Sequence, residues 1–176
     1  MNYHEFLENK SQIGTQSGFD PVYIPDFLFD FQKALLEWAL KKGKAAIFAD
    51  CGLGKTPIQL VWAENIVRKE NGNVLILTPL AVSPQTIREG EKFDIQVSRS
   101  LDGNIKKGIT VTNYERLHYF NPNDFSGVVC DESSILKNFS GVRRKEITNF
   151  LHKIKYRLLC TATASPNDYI ELGTSS

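Results

Sequence analysis

The stretch Ala49-Asp50-Cys51-Gly52-Leu53-Gly54-Lys55-Thr56 carries the clearest chemistry in this chain. Glycines let a backbone approach a polyanion closely and turn its N–H groups toward it. A helix that starts directly afterwards adds its positive N-terminal end. In such a loop Gly52, Leu53 and Gly54 cradle phosphates and Lys55 reaches the β- and γ-phosphates. The Thr56 hydroxyl ligates magnesium. Further along, Asp131-Glu132 ends the apolar run Val128-Val129-Cys130. Two adjacent carboxylates at the tip of a buried strand suit two tasks. Asp131 holds a metal, directly or through water, and Glu132 positions and activates an attacking water. The pair of runs implies a nucleoside triphosphate, ATP with Mg2+, and its hydrolysis. The plain alternatives are a chance Gly-Leu-Gly-Lys-Thr in an ordinary loop and a solvated Asp-Glu pair. What weighs against both is context, because each run directly follows a predicted strand.

Those strands can be read from the pattern of apolar residues. Phe31, Ala34, Leu35, Trp38 and Ala39 fall on one face of a helical period, and Gly43 is a stop. Ala45-Ala46-Ile47-Phe48-Ala49 is a short apolar run that leads into the glycine loop. A second helix follows with Ile58, Val61, Trp62 and Ile66 on one face. Its Pro57 falls in the first turn, where no intrahelical amide bond is lost. Val74–Leu77, Ile109–Thr112, Gly127–Cys130 and Tyr156–Cys160 read as further strands, and residues 82–92 and 141–153 as helices. Continuous apolar strands alternating with helices predict an α/β fold, a mainly parallel sheet with helices packed on each face. Ligands in such sheets bind at the carboxyl ends of the strands. Every candidate site residue follows a strand end except Gln32, which precedes the first strand.

Composition narrows the class. The chain has 176 residues, 41% of them apolar and a net charge of +1. That is enough for one domain with its own core and argues against disorder. No apolar run approaches the ~20 residues needed to cross a bilayer, and the start has no basic-then-apolar leader. A cytoplasmic location and no membrane partner are the expectation. Cys51, Cys130 and Cys160 form no CxxC pair and read as core or loop-edge thiols. No internal repeat or low-complexity tract is present. Residues 1–24, punctuated by Gly14, Gly18 and Pro21, read as a loosely structured lead-in, and 25–176 as the ATP-binding domain.

With these motifs in hand the chain resembles the superfamily 2 helicase-like ATPases, in the chromatin-remodeller-type branch of DNA translocases and its phage and bacterial relatives. Phe31-Gln32 with the following helix resembles the opening glutamine motif, which implies that Gln32 reads the adenine edge. Ala49–Thr56 matches the family's phosphate loop, in its Ala-first form. Thr78-Pro79-Leu80-Ala81-Val82 with Gln85-Thr86 and Glu89 resembles motif Ia, and Val111-Thr112-Asn113-Tyr114-Glu115 motif Ib. The resemblance implies that Pro79, Leu80 and Thr112 lie against the nucleic-acid backbone. Asp131-Glu132-Ser133-Ser134 is similar to the DEAH-like motif II, and Lys137-Asn138 after it resembles the remodeller branch. Thr161-Ala162-Thr163 is similar to motif III, continued by Pro166-Asn167 and Glu171-Leu172. Ser134, where DEAH-like members carry His and DEAD-box members Asp, is implied to couple motif II to motif III and to a second lobe, together with Thr161, Ala162 and Thr163.

The implied architecture is a RecA-like P-loop NTPase lobe. The family works with two such lobes, the second supplying arginine fingers to the transferring phosphoryl group. The chain therefore reads as the first lobe alone, its partners a second RecA-like lobe of the same parent chain and duplex DNA. The compact spacing and the Asp-Glu-Ser-Ser variant resemble phage proteins. The rival readings are a strand-separating or RNA-directed helicase, a non-catalytic nucleotide-dependent clamp, and an unrelated P-loop kinase or recombinase. Intact Lys55, Asp131 and Glu132 argue against the clamp, and Gln32 with the Thr-Ala-Thr run against the kinase. Among smaller candidates, Trp38 and Trp62 read as core. Tyr23, Phe27, Phe29 and Phe31 could include an adenine-stacking ring, with core packing the better expectation. Arg88, Arg116 and Lys137 could touch phosphates. His4, His118 and His152 have no metal spacing.

Overall fold

The computed structural model describes residues 17–48 and 54–161. Ala49 to Leu53 in the glycine loop, and Ala162 and Thr163, lie outside the described residues. The described elements run α1 (Asp30–Lys42), β1 (Lys44–Phe48), α2 (Lys55–Glu70), β2 (Val74–Thr78), α3 (Ser83–Lys92), β3 (Val97–Arg99), β4 (Ile109–Asn113), β5 (Gly127–Asp131), α4 (Gly141–His152) and β6 (Tyr156–Thr161). Short 3-10 turns at Tyr114–Tyr119, Pro122–Asp124 and Ser133–Asn138 complete the list. The strands form one sheet in the order β1-β6-β5-β2-β4-β3, and every pairing is parallel. The predicted parallel α/β architecture is the one observed.

Strand alternation explains the layers. Successive side chains point to opposite faces. Ala45, Ile47, Val74, Ile76, Val129 and Leu158 pack in one apolar cluster beneath α1 and α2. Ala46, Leu75, Leu77, Val128, Cys130 and Leu159 pack in a second cluster with α4 and the 3-10 turns. With helical cover on both faces, the central strands bury every residue, so they read as unbroken apolar runs. Trp62 is fully buried and Trp38 packs against the same cluster. Cys130 and Cys160 are buried free thiols.

Two local features differ from the pattern reading. β3 is a three-residue edge strand with no buried residue, so no apolar run announces it. Residues 17–24, read as loose, are instead tied down. Ser17, Gly18 and Phe19 donate backbone bonds to Lys42, Lys41 and Leu40 at the end of α1. That helix stops at Gly43, whose φ of 77° suits a residue without Cβ. Further on, the Asn65 Oδ1 accepts from the N–H groups of Val22 and Tyr23, at 2.8 and 2.9 Å. Its Nδ2 donates to the carbonyls of Tyr23 and Val61, both at 2.8 Å. Asn65→Ala would leave two N–H groups and a carbonyl of that strap unpaired. Each such group costs about 1–3 kcal/mol, partly recovered by water, so an expected loss of about 2–4 kcal/mol should appear in urea unfolding.

Candidate nucleotide site

The sheet order sets the geometry of the site. β1 leads into the glycine loop and β5 ends on the acids, with β6 between them. Two strand spacings, about 10 Å, thus separate the tips. The long side chain of Lys55, first residue of α2, closes that gap. Its Nζ lies 3.3 Å from Asp131 Oδ1 and also pairs with Glu132 Oε1. The Lys55 and Asp131 side chains are 12% and 4% exposed, so this pair is held largely out of water, while the Glu132 side chain is 30% exposed. Asp131 gains a second donor, Gln59 Nε2, at 2.9 Å.

The acidic tip is conformationally constrained. Glu132 adopts φ 52° and ψ 53°, a left-handed geometry that costs a non-glycine residue about 1 kcal/mol or more. The peptide leading into it is anchored, because the Tyr114 hydroxyl donates to the Asp131 carbonyl at 2.8 Å. Burial pushes the Tyr114 phenol well above its usual range, so it remains a donor. Lys55 holds the carboxylate end of the same residue.

On the other side, Gln32 joins α1 to the end of the loop. Its Oε1 accepts from the Phe29 N–H at 2.8 Å, and its Nε2 donates to the Gly54 carbonyl at 3.1 Å. Gly54 has φ 66°, and a Cβ there would sit 2.5 Å from Gln32 Nε2. The backbone sense favours glycine, and a Cβ would also push the Gln32 amide off the Gly54 carbonyl. Gln32, Gly54, Lys55, Thr56, Asp131 and Glu132 line one cavity of about 530 Å3, within the range of small-molecule sites. Among the described residues no cluster of three or more His, Cys, Asp or Glu forms a metal cage. Thr56 and Asp131 both line the cavity, and a hydroxyl with a carboxylate is a donor set that would fit magnesium, which takes a few protein oxygens and completes its shell with phosphates and water.

Several residues sit where the sequence does not put them. Phe27 and Phe29 line the cavity and are 39% and 68% exposed, against the expectation of core packing. Phe27 stacks on Phe93 with ring centroids 4.4 Å apart. Val82, Gln85 and Glu89, read as nucleic-acid motif Ia, line this same cavity. Pro79 is half-buried and Leu80 is 61% exposed beside them. Thr112 is fully buried in β4. It offers no surface to a nucleic acid, and the exposed residues of that segment are Glu115, Arg116, His118 and Tyr119. The β-branched side chain of Thr112 suits a buried strand, although its hydroxyl has no hydrogen-bond partner among the described residues. Arg99, Lys106, Arg116 and Tyr119, together with Asp102, line a second cavity of about 870 Å3 beside β3 and the loop that follows it. Ser134 is half-buried in the turn Ser133–Asn138, which packs on β6, the strand that ends at buried Thr161. Gln59 and Tyr114 were not legible as site residues. The available signal for Gln59 is a polar residue one helical turn past Lys55 in an otherwise buried run.

No family model and no curated protein sequence matches the chain. Solved structures do. The UvsW helicase from bacteriophage T4 superposes with a TM-score of 0.70 at 15% identity, over 99% of this chain and 64% of that one. A hypothetical ATP-dependent RNA helicase from Sulfolobus tokodaii gives 0.59 at 18%, over 99% and 55%. A nuclease-deletion mutant of the Type ISP restriction-modification enzyme LlaGI, in complex with a DNA substrate mimic, gives 0.58 at 18%, over 83% and 19%. The chain thus spans less than two thirds of each of these proteins. Its three-layer α/β architecture is the RecA-like fold found in helicase domains.

Proposed function

We propose that this chain is the ATP-binding lobe of an ATP-dependent motor, which in a two-lobed parent couples magnesium-dependent hydrolysis to movement along duplex DNA. The observation that carries this reading is the meeting of Lys55 with Asp131 and Glu132 across β6. A structural ion pair needs neither the glycine at Gly54 nor the strained Glu132. A phosphate site uses both. ATP, when bound, supplies the phosphoryl bond whose hydrolysis releases the energy, and magnesium neutralises its charge. The chain's own residues divide the remaining work. Lys55 is placed to neutralise phosphate oxygens, and Thr56 and Asp131 to hold the cation. Glu132, anchored through Tyr114, is placed to orient a water and accept its proton. Gln32, which lines the same cavity, would face the adenine. The contact between the Ser134 turn and β6, which ends at Thr161, gives the acids a packed link to the end of that strand.

Nucleic acid fits the second cavity. Three cationic side chains beside an exposed tyrosine suit backbone phosphates more than base edges. Such contacts give little sequence preference and a steep salt dependence. Arg99→Ala, Lys106→Ala and Arg116→Ala are each expected to weaken duplex binding equally across sequences. Each should lower the slope of log affinity against log salt by about 1, measurable by fluorescence anisotropy in a salt series. The track is decided by ATPase assays of the full-length protein with duplex DNA, single strands and RNA. Duplex DNA should stimulate most. Stimulation by RNA or single strands alone would assign the strand-separating or RNA-directed alternative, and an absence of turnover with intact nucleotide binding would assign the clamp.

A further inference from the structure

We propose that Gln59 is a positioning residue that fixes the carboxylate of Asp131 for the cation; this rests on the ATP-site reading above and names a residue that the phosphate-loop and acidic motifs do not include. Gln59 lies four residues after Lys55 on α2, so the two side chains share a helix face. It is 1% exposed, and its neighbours Ile58, Leu60, Val61 and Trp62 are fully buried. An amide in such a place needs a reason, because burying it without partners is costly.

Gln59 Nε2 donates to Asp131 Oδ1 at 2.9 Å, and the same side chain lies within hydrogen-bond reach of the buried Cys160 thiol on β6. A carboxylate only accepts, so the amide must turn its NH2 toward it. The other end, Oε1, has no hydrogen-bond partner among the described residues. A methionine would fill the same space without that unmet acceptor, so the amide is accounted for by its polar contacts, of which the charged one is Asp131. Lys55 Nζ contacts the same Oδ1 at 3.3 Å. The terminal torsion of aspartate is broad and nearly two-fold. Two donors on one oxygen select which oxygen remains for the cavity. Lys55 is a poor sole anchor, since phosphate oxygens compete for its charge. Gln59 is neutral and buried, and it keeps hold of Asp131 when Lys55 is drawn to a ligand.

The test uses Gln59→Met and Gln59→Glu in the purified protein. Binding of a fluorescent ATP analogue is titrated with magnesium and repeated in EDTA, alongside thermal unfolding. Gln59→Met should fold with an unchanged or higher midpoint and bind the analogue normally in EDTA. Its magnesium requirement should rise about tenfold or more. Gln59→Glu, which replaces the donor with an acceptor, should raise that requirement further. If the methionine variant does not fold, Gln59→Leu carries the same comparison. An unchanged magnesium requirement in a folded variant overturns the positioning role and leaves the ATP site standing. Failure of the unmodified protein to bind the analogue overturns both.

Discussion

Lys55→Ala is expected to abolish binding of a labelled ATP analogue while the domain stays folded. Hydrogen bonds to charged groups contribute about 1.5–3 kcal/mol, so losing the lysine alone weakens binding by roughly ten- to a hundredfold. The structure adds a second penalty. Lys55 is the cation between Asp131 and Glu132. Without it two neighbouring carboxylates face the incoming phosphates with only the metal cation between them, and like charges repel in a partly buried site. The sum should carry affinity beyond detection in a filter-binding or anisotropy assay. The fold should survive because the apolar side of α2, from Ile58 to Ile66, packs beneath the sheet independently of the lysine. Asp131 also keeps its bond from Gln59. Circular dichroism of the variant checks this, and analogue binding equal to that of the unmodified protein would remove the phosphate-loop assignment.

Glu132→Gln is the second large effect. The amide keeps the size and the left-handed backbone of the glutamate but cannot take a proton from water. Turnover of the full-length protein should fall by about 10²- to 10⁴-fold, the usual contribution of a positioned general base. Nucleotide affinity should hold or improve, since a negative charge leaves the cavity wall. A phosphate-release assay paired with analogue binding separates the two quantities. Retained turnover would move the base to another residue of the cavity, and a joint loss of binding and turnover would mean that Glu132 is chiefly a partner for Lys55.

The contrast between these residues and Thr112 shows what linear sequence encodes. Val74-Leu75-Ile76-Leu77 and Val128-Val129-Cys130 are apolar without a break, and they are buried strands. Gly43 ends a helix because only its backbone turns there without strain. The residue types of the proposed phosphate loop and of the acidic tip stand in the sequence itself, since phosphate and metal chemistry would constrain side chains one by one. These are local requirements, met by neighbours in the chain. β3 lay beyond that reading because an edge strand with partly exposed residues leaves no apolar run.

What only the tertiary structure decided is who meets whom. The order β1-β6-β5 sets the distance that Lys55 spans, and helix packing brings Gln59 onto the same aspartate oxygen. It also encloses Thr112 while leaving Phe27 and Phe29 on the rim of the cavity. Alternation along a strand records that a residue is buried, but not what covers it. Strand order and helix docking follow from the whole core closing at once, so the cavity and its second layer of donors exist only when distant segments have packed together.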